Sequence, residues 1–572
     1  MILIYDWEVF KFDNMVTILD PISQKLYQFV NDTVGFKKFY QSHKNYIWCG
    51  WNSRSYDSYI SKAAILGFDL KQVNDWIIVK GRKGFEFSSL FNKVPWIDFD
   101  IMPNIPVSLK VMEGFMGHNI HETEVPFDID RPLTKEELEM TKKYNEHDVM
   151  NTFECFIRRK VEFDSKLGLV KTFQLPLSDI GKTQAQLAAT ILQASRKKLN
   201  DEWAIRLPEN VQLGKYKAVG NWFLNPANHD YEKKLEATIC GLPHTIAWGG
   251  IHAGRNKSYV ECRDDEVLLD VDVDQLYPNL MIHYNLLSRG VTEPQLFQNV
   301  LDTSLRLKKE GKKAEREPYK RICNITYGAT GDRFNKMYDP LHRNLVCVFG
   351  QVFIIDLLDK VEDLIELYNS NTDGIFVKVK RKDLDEFKCR VREWEERTHL
   401  HMSYDEFYKM YTKDVNNYVA VRPDGSYHSK GAYVKELNDL DYDLPIVNEA
   451  VKDYLLFGIS PEQTVMSCDE LRKFQKIVKL SSKYKWVEHE RGQGTTKYDN
   501  KAYRVFASRD NLDGRLLKCD GVRNPAKFGN TPDKCFVENG DLSGKQIPDK
   551  LDKQWYISLS KKRLSDFGVE VI

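Results

Sequence analysis

Several features that would classify a chain quickly are missing from these 572 residues. The 10 cysteines are scattered and no two have Cys-x-x-Cys spacing, which argues against a zinc site and favours reduced thiols over a disulfide framework. No apolar run approaches ~18 residues, so no transmembrane span is predicted. The start, MILIYDWEVF, has no basic segment before its apolar stretch and does not resemble a signal peptide, so we expect a cytoplasmic protein.

Net charge, internal repeats and low-complexity linkers are also missing. The 83 basic and 83 acidic residues cancel, so a nucleic-acid partner would require charges that are segregated on the surface. The length predicts three to five domains. Over residues 1–165, short strands at Met1–Phe10 and Tyr46–Gly50 alternate with helical stretches, notably Thr134–Leu167, and this alternation predicts an α/β unit.

Two carboxylates share one face of the first predicted strand. Because side chains alternate along a strand, Asp6 and Glu8 point the same way. Burial of such a pair is costly unless it is paired or bound to a metal ion, and carboxylate oxygens are the ligands that Mg²⁺ prefers. For this strand alone, an edge position with that face in water is the structural alternative.

Two later segments extend this acidic set into a family resemblance. Trp51–Asp57 follows the second strand, and Tyr144–Asp148 lies in the long helical stretch. In this order, Asp-x-Glu, Asn-x4-Asp and Tyr-x3-Asp resemble the three exonuclease motifs of DnaQ-like proofreading domains. The resemblance implies two metal ions held by four carboxylates, a tyrosine that positions the attacking water and an asparagine that contacts the substrate strand. These residues are Asp6, Glu8, Asp57 and Asp148, then Tyr144, then Asn52. Two metals about 4 Å apart would assist both the attacking and the leaving oxygen of a phosphodiester.

A second acidic strand is predicted at Glu266–Val273, with Asp270, Asp272 and Asp274 on one face. A helical region at Glu293–Tyr327 follows and carries Lys320-x3-Asn-x2-Tyr-Gly. A helical stretch at Leu345–Leu367 then leads into Asn371-Thr-Asp-Gly, whose apolar flanks predict a tight hairpin.

These segments resemble, in order, motifs A, B and C of family B DNA polymerases, in the form found in compact phage-type members. Four positions within these motifs depart from the family pattern. Gln275 and Ile325 replace serines, Asn369 replaces a tyrosine, and Asn371 replaces the first aspartate of motif C. The resemblance covers residues 1 to about 435 and is weak beyond them.

The resemblance also implies the roles of residues in the polymerase site. Two Mg²⁺ ions, for which Mn²⁺ could substitute, would be held by Asp272, Val273 and Asp373. Tyr277 would pack under the deoxyribose and exclude a 2′-hydroxyl. The other implied nucleotide contacts are Lys308, Lys320, Asn324 and Tyr327, and the other implied DNA contacts are Tyr418 and Lys430. Beside Tyr418, Asn416 replaces the lysine of the family's Lys-x-Tyr motif.

We therefore expect a multidomain α/β and α+β chain, in which an RNase H-like exonuclease domain precedes a right-hand polymerase. The expected segments are the exonuclease at 1–165, the palm with motif A at 166–280, the fingers with motif B at 281–330, the palm with motif C at 331–432 and the thumb at 433–572. The expected activity is template-directed DNA synthesis with 3′→5′ proofreading in phage-type replication. The expected partners are a DNA primer–template, deoxynucleoside triphosphates and replication accessory proteins, with a monomeric chain and no membrane.

Three alternatives stay open: a protein-primed polymerase of the same family, an exonuclease whose polymerase site has decayed, and a non-catalytic DNA-binding replication factor. The second alternative stays open because Asn371 replaces the first aspartate of motif C. About forty residues separate motif A from B, and B from C, and helices of ordinary length use most of each gap. We therefore expect extension from an annealed primer, because the insertions of protein-primed relatives would not fit.

Overall fold

The computed structural model describes residues 1–103, 105–431, 433–492 and 494–570. The described chain is a multidomain α/β and α+β protein. Its contacts divide it into two compact units, the first formed by Met1–Gly181, Leu437–Val447 and Val465–Ile557, the second by Lys182–Glu436, Asn448–Thr464 and Ser558–Ile572. Among the helices of the described residues, none has the length and apolar character needed to cross a bilayer.

The first unit begins with an α/β region. Its strands are β1 (Ile2–Val9), β2 (Asn14–Asp20), β3 (Lys25–Val30), β4 (Ile47–Gly50) and β5 (Asp98–Asp100). Its helices are α1 (Thr33–His43), α2 (Asp57–Leu66), α3 (Leu70–Asn74), α4 (Leu109–Met116), α5 (Lys135–Arg158) and α6 (Lys160–Thr172). The predicted helical stretch Thr134–Leu167 is therefore two helices.

One five-stranded sheet organises this region in the order β3-β2-β1-β4-β5. The β1–β2 and β2–β3 pairs are antiparallel, and the β1–β4 and β4–β5 pairs are parallel. Leu3, Tyr5 and Trp7 of β1 enter an apolar core shared with α1 and α2. Since side chains alternate along a strand, Asp6 and Glu8 lie on the opposite face, where α5 packs.

A capping box sets the start of α5. The Thr134 side chain accepts the backbone N–H of Glu137 at 3.2 Å, and the Glu137 carboxylate accepts the backbone N–H of Thr134 at 2.8 Å. The helix then runs across β1 and β2 and presents its buried residues, including Asn145 and Asp148, to the sheet.

The second unit holds most of the remaining helices and a large antiparallel sheet. Its strands are β6 (Lys234–Ile239), β7 (Leu242–Ala247), β8 (Gly250–Gly254), β9 (Ser258–Glu261), β10 (Glu266–Val273), β11 (Ile365–Ser370), β12 (Gly374–Lys380), β13 (Met402–Phe407), β14 (Lys409–Asp414), β15 (Asn417–Val421) and β16 (Tyr427–Lys430). Its helices are α7 (Gln184–Ile191), α8 (Lys217–Leu224), α9 (Leu276–His283), α10 (Pro294–Lys309), α11 (Lys313–Thr330), α12 (Pro340–Val361) and α13 (Leu384–Thr398).

The large sheet has the order β13-β10-β12-β11-β8-β7-β6, and its strand pairs are antiparallel. The predicted strand Glu266–Val273 is confirmed as β10, and the predicted hairpin is confirmed as β11 and β12. The apolar helix α12 is buried along nearly its whole length and packs on α9 and β8. A smaller sheet, β16-β15-β14-β9, completes the unit.

The C-terminal elements are shared between the units. They are α14 (Pro445–Phe457), α15 (Pro461–Ser467), β17 (Lys476–Lys479), β18 (Trp486–Arg491), β19 (Gly494–Tyr498), β20 (Ala502–Ala507), β21 (Asp513–Cys519), β22 (Ala526–Lys527), β23 (Cys535–Val537) and α16 (Lys553–Ser565). Strands β17 and β20 pack on α4 within the first unit, where Ile477 and Ala502 join Val111 and Ile120 in one apolar cluster. The two compact units do not mark the bounds of functional subdomains, so the five expected segments stay predictions.

Candidate active sites

The first candidate site lies on the face of β1 that α5 covers. Strand β1 carries Asp6 and Glu8, and α5 carries Asp148. Carboxylate oxygens of these three residues all lie within 4.8 Å of one another, although they are far apart in sequence. Asp57 is the first residue of α2 and accepts the backbone N–H of Trp7 at 3.1 Å, which ties it to the same strand. The fold therefore groups three of the four predicted carboxylates and places Asp57 against the backbone of the same strand.

Burial dominates the electrostatics of this site. It raises the pKa of Asp6 well above its ordinary value, and repulsion from Asp57, Glu8 and Asp148 adds to the effect. Burial likewise raises the pKa of Glu8, with repulsion from Asp148 and Asp57. Burial raises the pKa of Asp57 to about 8 even though backbone N–H groups favour its charged form. The cluster can therefore carry its full negative charge only beside a compensating cation.

A lysine that the sequence motifs do not include lies inside the site. The Lys110 ammonium is 2.5 Å from the Asp148 carboxylate, 3.0 Å from the Glu113 carboxylate and 4.7 Å from the centre of the Tyr144 ring. Burial opposes its charge, but Asp148 and Glu113 together raise the pKa of Lys110. A lysine and a glutamate three residues apart in the otherwise apolar helix α4 were the available signal, because neither is cheap to bury unpaired.

Glu113 and His147 were likewise not predicted. Their ligand atoms and those of Asp148 form a second group within 4.8 Å. Glu113 is fully buried, and burial raises its pKa to about 8 although Lys110 opposes that effect. Burial and the charge of Lys110 lower the pKa of His147. These two residues therefore lie directly beside Asp148.

Three amide and hydroxyl residues lie at or near the carboxylates. The Asn145 side chain donates to the Asp6 carboxylate at 2.7 Å, a contact that the sequence did not predict. Tyr144 is half-buried; burial and then Asp148 raise its pKa, so it stays a neutral hydroxyl. Asn52 has a left-handed backbone with φ of 59°, and its N–H donates to Asp100 at 3.0 Å. Its predicted contact with a substrate strand stays a prediction.

The second candidate site lies where β10 and β12 pair. Asp272 is opposite Gly374 in the strand register, next to Asp373. A Cβ at Gly374 would lie 1.8 Å from the Asp272 carboxylate, so glycine is required for that side chain to fit. The N–H of Val273 donates to the carbonyl of Asp373 at 2.8 Å. The strand pairing therefore places the two predicted polymerase aspartates at one end of the sheet.

This second site is more open than the first. Asp272 and Asp373 are both exposed. Partial desolvation, followed by repulsion from Asp373 and Asp405, raises the pKa of Asp272 to about 6, and Lys430 opposes the shift. Partial desolvation, followed by repulsion from Asp272, Asp405 and Asp373, raises the pKa of Asp270 to about 7. Asp405 was not predicted; it is opposite Asp270 in the pairing of β10 and β13.

A cavity of about 430 Å³ opens beside these aspartates. Among the predicted residues, Val273, Tyr277, Asn324, Asp373 and Lys430 line it, together with three positions that depart from the family pattern, Gln275, Asn371 and Asn416. His252 also lines the cavity and was not predicted.

One wall of this cavity is aromatic. The rings of Tyr277 and Tyr327 are 4.1 Å apart, and the Tyr327 hydroxyl lies 3.0 Å from the sulfur of buried Cys347. These contacts hold Tyr277 in one position, as a steric barrier requires.

Three other predicted residues, Lys308, Lys320 and Tyr418, do not line this cavity. The Lys308 ammonium pairs with both oxygens of the Asp274 carboxylate at 2.8 and 2.9 Å. Lys320 is exposed on α11. Tyr418 is only 6% exposed and packs against Phe376 in an apolar cluster, and its DNA contact stays a prediction.

No family model matches this chain, and a search of curated proteins finds no match.

Proposed function

We propose that the chain is a template-directed DNA polymerase with a 3′→5′ proofreading exonuclease. The observation that carries the proposal is the presence of two separate acidic sites, one in each compact unit, each assembled from the residues that the family motifs select. One cluster of carboxylates can arise by chance in a chain with many acidic residues. Two clusters, each formed from residues that are distant in sequence, are harder to explain in that way.

The exonuclease part of the proposal is supported by the sheet order β3-β2-β1-β4-β5 and by the convergence of Asp6, Glu8 and Asp148. This mixed order is the one expected of an RNase H-like domain. Asn145 orients Asp6, and Lys110 offsets part of the negative charge near the position of a scissile phosphate. Tyr144 has a neutral hydroxyl that can hold a water molecule for attack.

The polymerase part is supported by the antiparallel sheet, expected for a palm, and by the cavity beside Asp373. The cavity has the size of a small-molecule site and is lined by polar groups and an aromatic wall. Tyr277 would contact the sugar, Asn324 the base or sugar, and Lys430 a phosphate. Asn371 can offer a carbonyl oxygen but no charge.

The donor sets fit hard divalent cations. Asp6, Glu8, Asp57 and Asp148 would hold Mg²⁺ in the first site, and Asp272, Val273 and Asp373 in the second. The raised pKa values of the buried carboxylates support this assignment, because a cation would relieve their repulsion. Bound there, Mg²⁺ would activate the attacking oxygen and stabilise the leaving one.

A single pair of assays tests the proposal. The purified chain is incubated with an annealed DNA primer–template and all four deoxynucleoside triphosphates, and separately with single-stranded DNA, each with Mg²⁺ or with a chelator. We expect Mg²⁺-dependent extension and Mg²⁺-dependent degradation from the 3′ end. Degradation without extension would identify an exonuclease with a decayed polymerase site, and binding without either activity a non-catalytic replication factor. Extension only from a protein hydroxyl would identify a protein-primed polymerase.

A further inference from the structure

An exposed segment that follows α3 combines basic residues with exposed apolar side chains. The π-helix Asp75–Val79 is followed by the sequence KGRKGFEF, and residues 76–93 contain four basic residues against one acid, Glu86. Ile78, Val79 and Phe85 are 62%, 73% and 55% exposed. Exposed apolar groups in one patch can mark an interaction site, and clustered cations are the electrostatic footprint of nucleic-acid binding.

This segment is attached directly beside the first acidic site. Tyr56, the residue before Asp57, donates its hydroxyl to Asn74 at 2.8 Å, immediately before the π-helix. Because Tyr56 directly precedes Asp57, this hydrogen bond attaches the segment one residue away from a predicted carboxylate of the first site. At the other end, a Cβ at Gly84 would lie 2.3 Å from the ring of Tyr59, so the segment docks closely on α2.

The cations on this segment are available to a partner. Lys80, Arg82 and Lys83 are exposed, and in the part of the chain that the structure describes none of them pairs with a carboxylate; the nearby Asp75 pairs with Lys71. Lys80 and Arg82 lie over the Trp76 ring at 5.5 and 4.9 Å from its centre.

Trp76 also fixes the loop that carries these cations. Its indole N–H donates to the carbonyl of Lys83 at 3.1 Å, and its own carbonyl accepts the N–H of Arg82 at 3.1 Å. The backbone that carries these cations is therefore held in place before any partner binds, which lowers the entropic cost of binding.

We propose that this surface, the Trp76 platform (Trp76, Lys80, Arg82, Lys83 and Phe85), binds single-stranded DNA and guides it to the carboxylates of the first site. Unpaired cations beside aromatic rings are the combination that holds single strands without sequence preference, through phosphates and stacked bases. The inference rests on the proposed exonuclease function for the destination of the strand, but DNA binding itself can be measured without catalysis.

The first experiment measures binding of a fluorescent oligo-dT of about 20 nucleotides by anisotropy, in the Asp6→Ala/Glu8→Ala background so that the probe is not degraded. The platform variant Lys80→Ala/Arg82→Ala/Lys83→Ala should bind at least about 10-fold more weakly, and the slope of log affinity against log salt should fall by about 2. The matched control Lys37→Ala/Lys38→Ala/Lys44→Ala removes three other exposed lysines, from α1 and its end. It should change the affinity by less than about 2-fold.

A second variant tests the aromatic contribution. Phe85→Ala removes an exposed ring without changing charge, and it should weaken binding by about 5-fold or more while leaving the salt slope unchanged. The platform, control and Phe85 substitutions fall on exposed side chains, and unfolding temperatures equal to that of the Asp6→Ala/Glu8→Ala background will establish that each variant is folded.

The outcomes are distinguishable. Equal loss in the platform and control variants, or no loss in the platform variant, overturns the proposal; in the second case a protein partner would be the remaining explanation for the exposed apolar groups. In the otherwise wild-type chain, the platform variant should degrade oligo-dT of about 20 nucleotides with a raised KM and oligomers of about 4 nucleotides normally. If the wild-type chain degrades neither oligomer, the proposed exonuclease function fails while the binding result still stands.

Discussion

The two acidic sites contain the same kind of side chain in opposite surroundings. In the first, Glu8, Asp57 and Asp148 are 7%, 3% and 7% exposed, whereas Asp272 and Asp373 in the second are open to solvent. Burial accordingly raises the pKa values more strongly in the first site, to about 8 for Asp57 against about 6 for Asp272. Water stabilises charge in the second site, and the protein must do so in the first.

Each site also contains one lysine, and the difference in burial explains the different contacts of the two lysines. Lys110 lies within hydrogen-bonding distance of two carboxylates in the first site, as a buried acidic cluster requires. In the second site, Lys430 only moderates the pKa of Asp272 and also lines the nucleotide-sized cavity. Lys110 is paired with carboxylates and helps to stabilise the buried cluster. Lys430 lines a cavity, where it can contact a ligand.

The largest expected effect would separate the two sites completely. Asp6→Ala with Glu8→Ala should lower DNA degradation by about 10³-fold or more and leave primer extension within about 2-fold, because removing metal ligands costs several kcal/mol of transition-state stabilisation. Asp272→Ala should do the reverse. The measurements are initial rates of degradation and extension on matched DNA. Equal loss of both activities in either folded variant would contradict the assignment of two independent sites.

The cost of burying carboxylates can be measured at Asp98, the first residue of β5. Burial, then repulsion from Asp100, raises its pKa to about 7 in the folded chain, against an ordinary value of about 3.9. Between these values the folded state holds a proton that the unfolded state has lost, so stability falls as pH rises from about 4 to about 7. Asp98→Asn keeps the acceptor for Ser53 and cannot ionise.

The Asp98→Asn variant should therefore gain stability over the parent chain as pH rises through that window, by at most about 4 kcal/mol at pH 7 and above. Urea unfolding at several pH values, without divalent cations, gives the difference. The control is Asp405→Asn beside the second site, where the exposed side chain should change stability by less than about 0.5 kcal/mol. A pH-independent difference for Asp98→Asn would show that burial does not set the charge of this region.

Sugar selection tests whether the cavity of the second site holds a nucleotide. Tyr277→Ala should raise ribonucleotide incorporation relative to deoxyribonucleotide by about 10- to 100-fold, because the ring that would contact the 2′ position is lost. Competition between the two nucleotides on one template measures the ratio. Tyr277→Phe keeps the ring and should leave the ratio unchanged; a ratio that is unchanged in both variants would place the barrier elsewhere.

The smallest expected effect concerns the pair of Lys308 and Asp274. If Lys308 binds the triphosphate, Asp274 competes with it, and Asp274→Asn should lower KM for deoxynucleotides by about 2- to 5-fold, the range of an exposed ion pair. Steady-state extension gives KM and kcat. The control is Glu310→Gln, which removes the pairs with Arg306 and Lys312 just beyond the end of the same helix. A higher KM in Asp274→Asn would mean that the pair supports the nucleotide site.

Much of the local structure follows from the sequence alone. Alternation along β1 and β10 identified Asp6, Glu8 and Asp272, because the side-chain period of a strand is set by backbone geometry. The hairpin at Asn371–Gly374 followed from its turn residues. The predicted helix 134–167 was wrong in one respect, since a break at Arg159 separates α5 from α6.

The contacts between distant residues were decided by the tertiary structure. Lys110, Glu113 and Asn145 are not among the residues that the family motifs select, and only the packing of α5 on β1 and of α4 on α5 places them against Asp6 and Asp148. The burial that raises the pKa of Asp57 to about 8, the pairing of Lys308 with Asp274 and the docking of Gly84 on Tyr59 are likewise consequences of packing. Period and turn chemistry are properties of a few consecutive residues, whereas solvent exclusion and charge pairing depend on which segments meet.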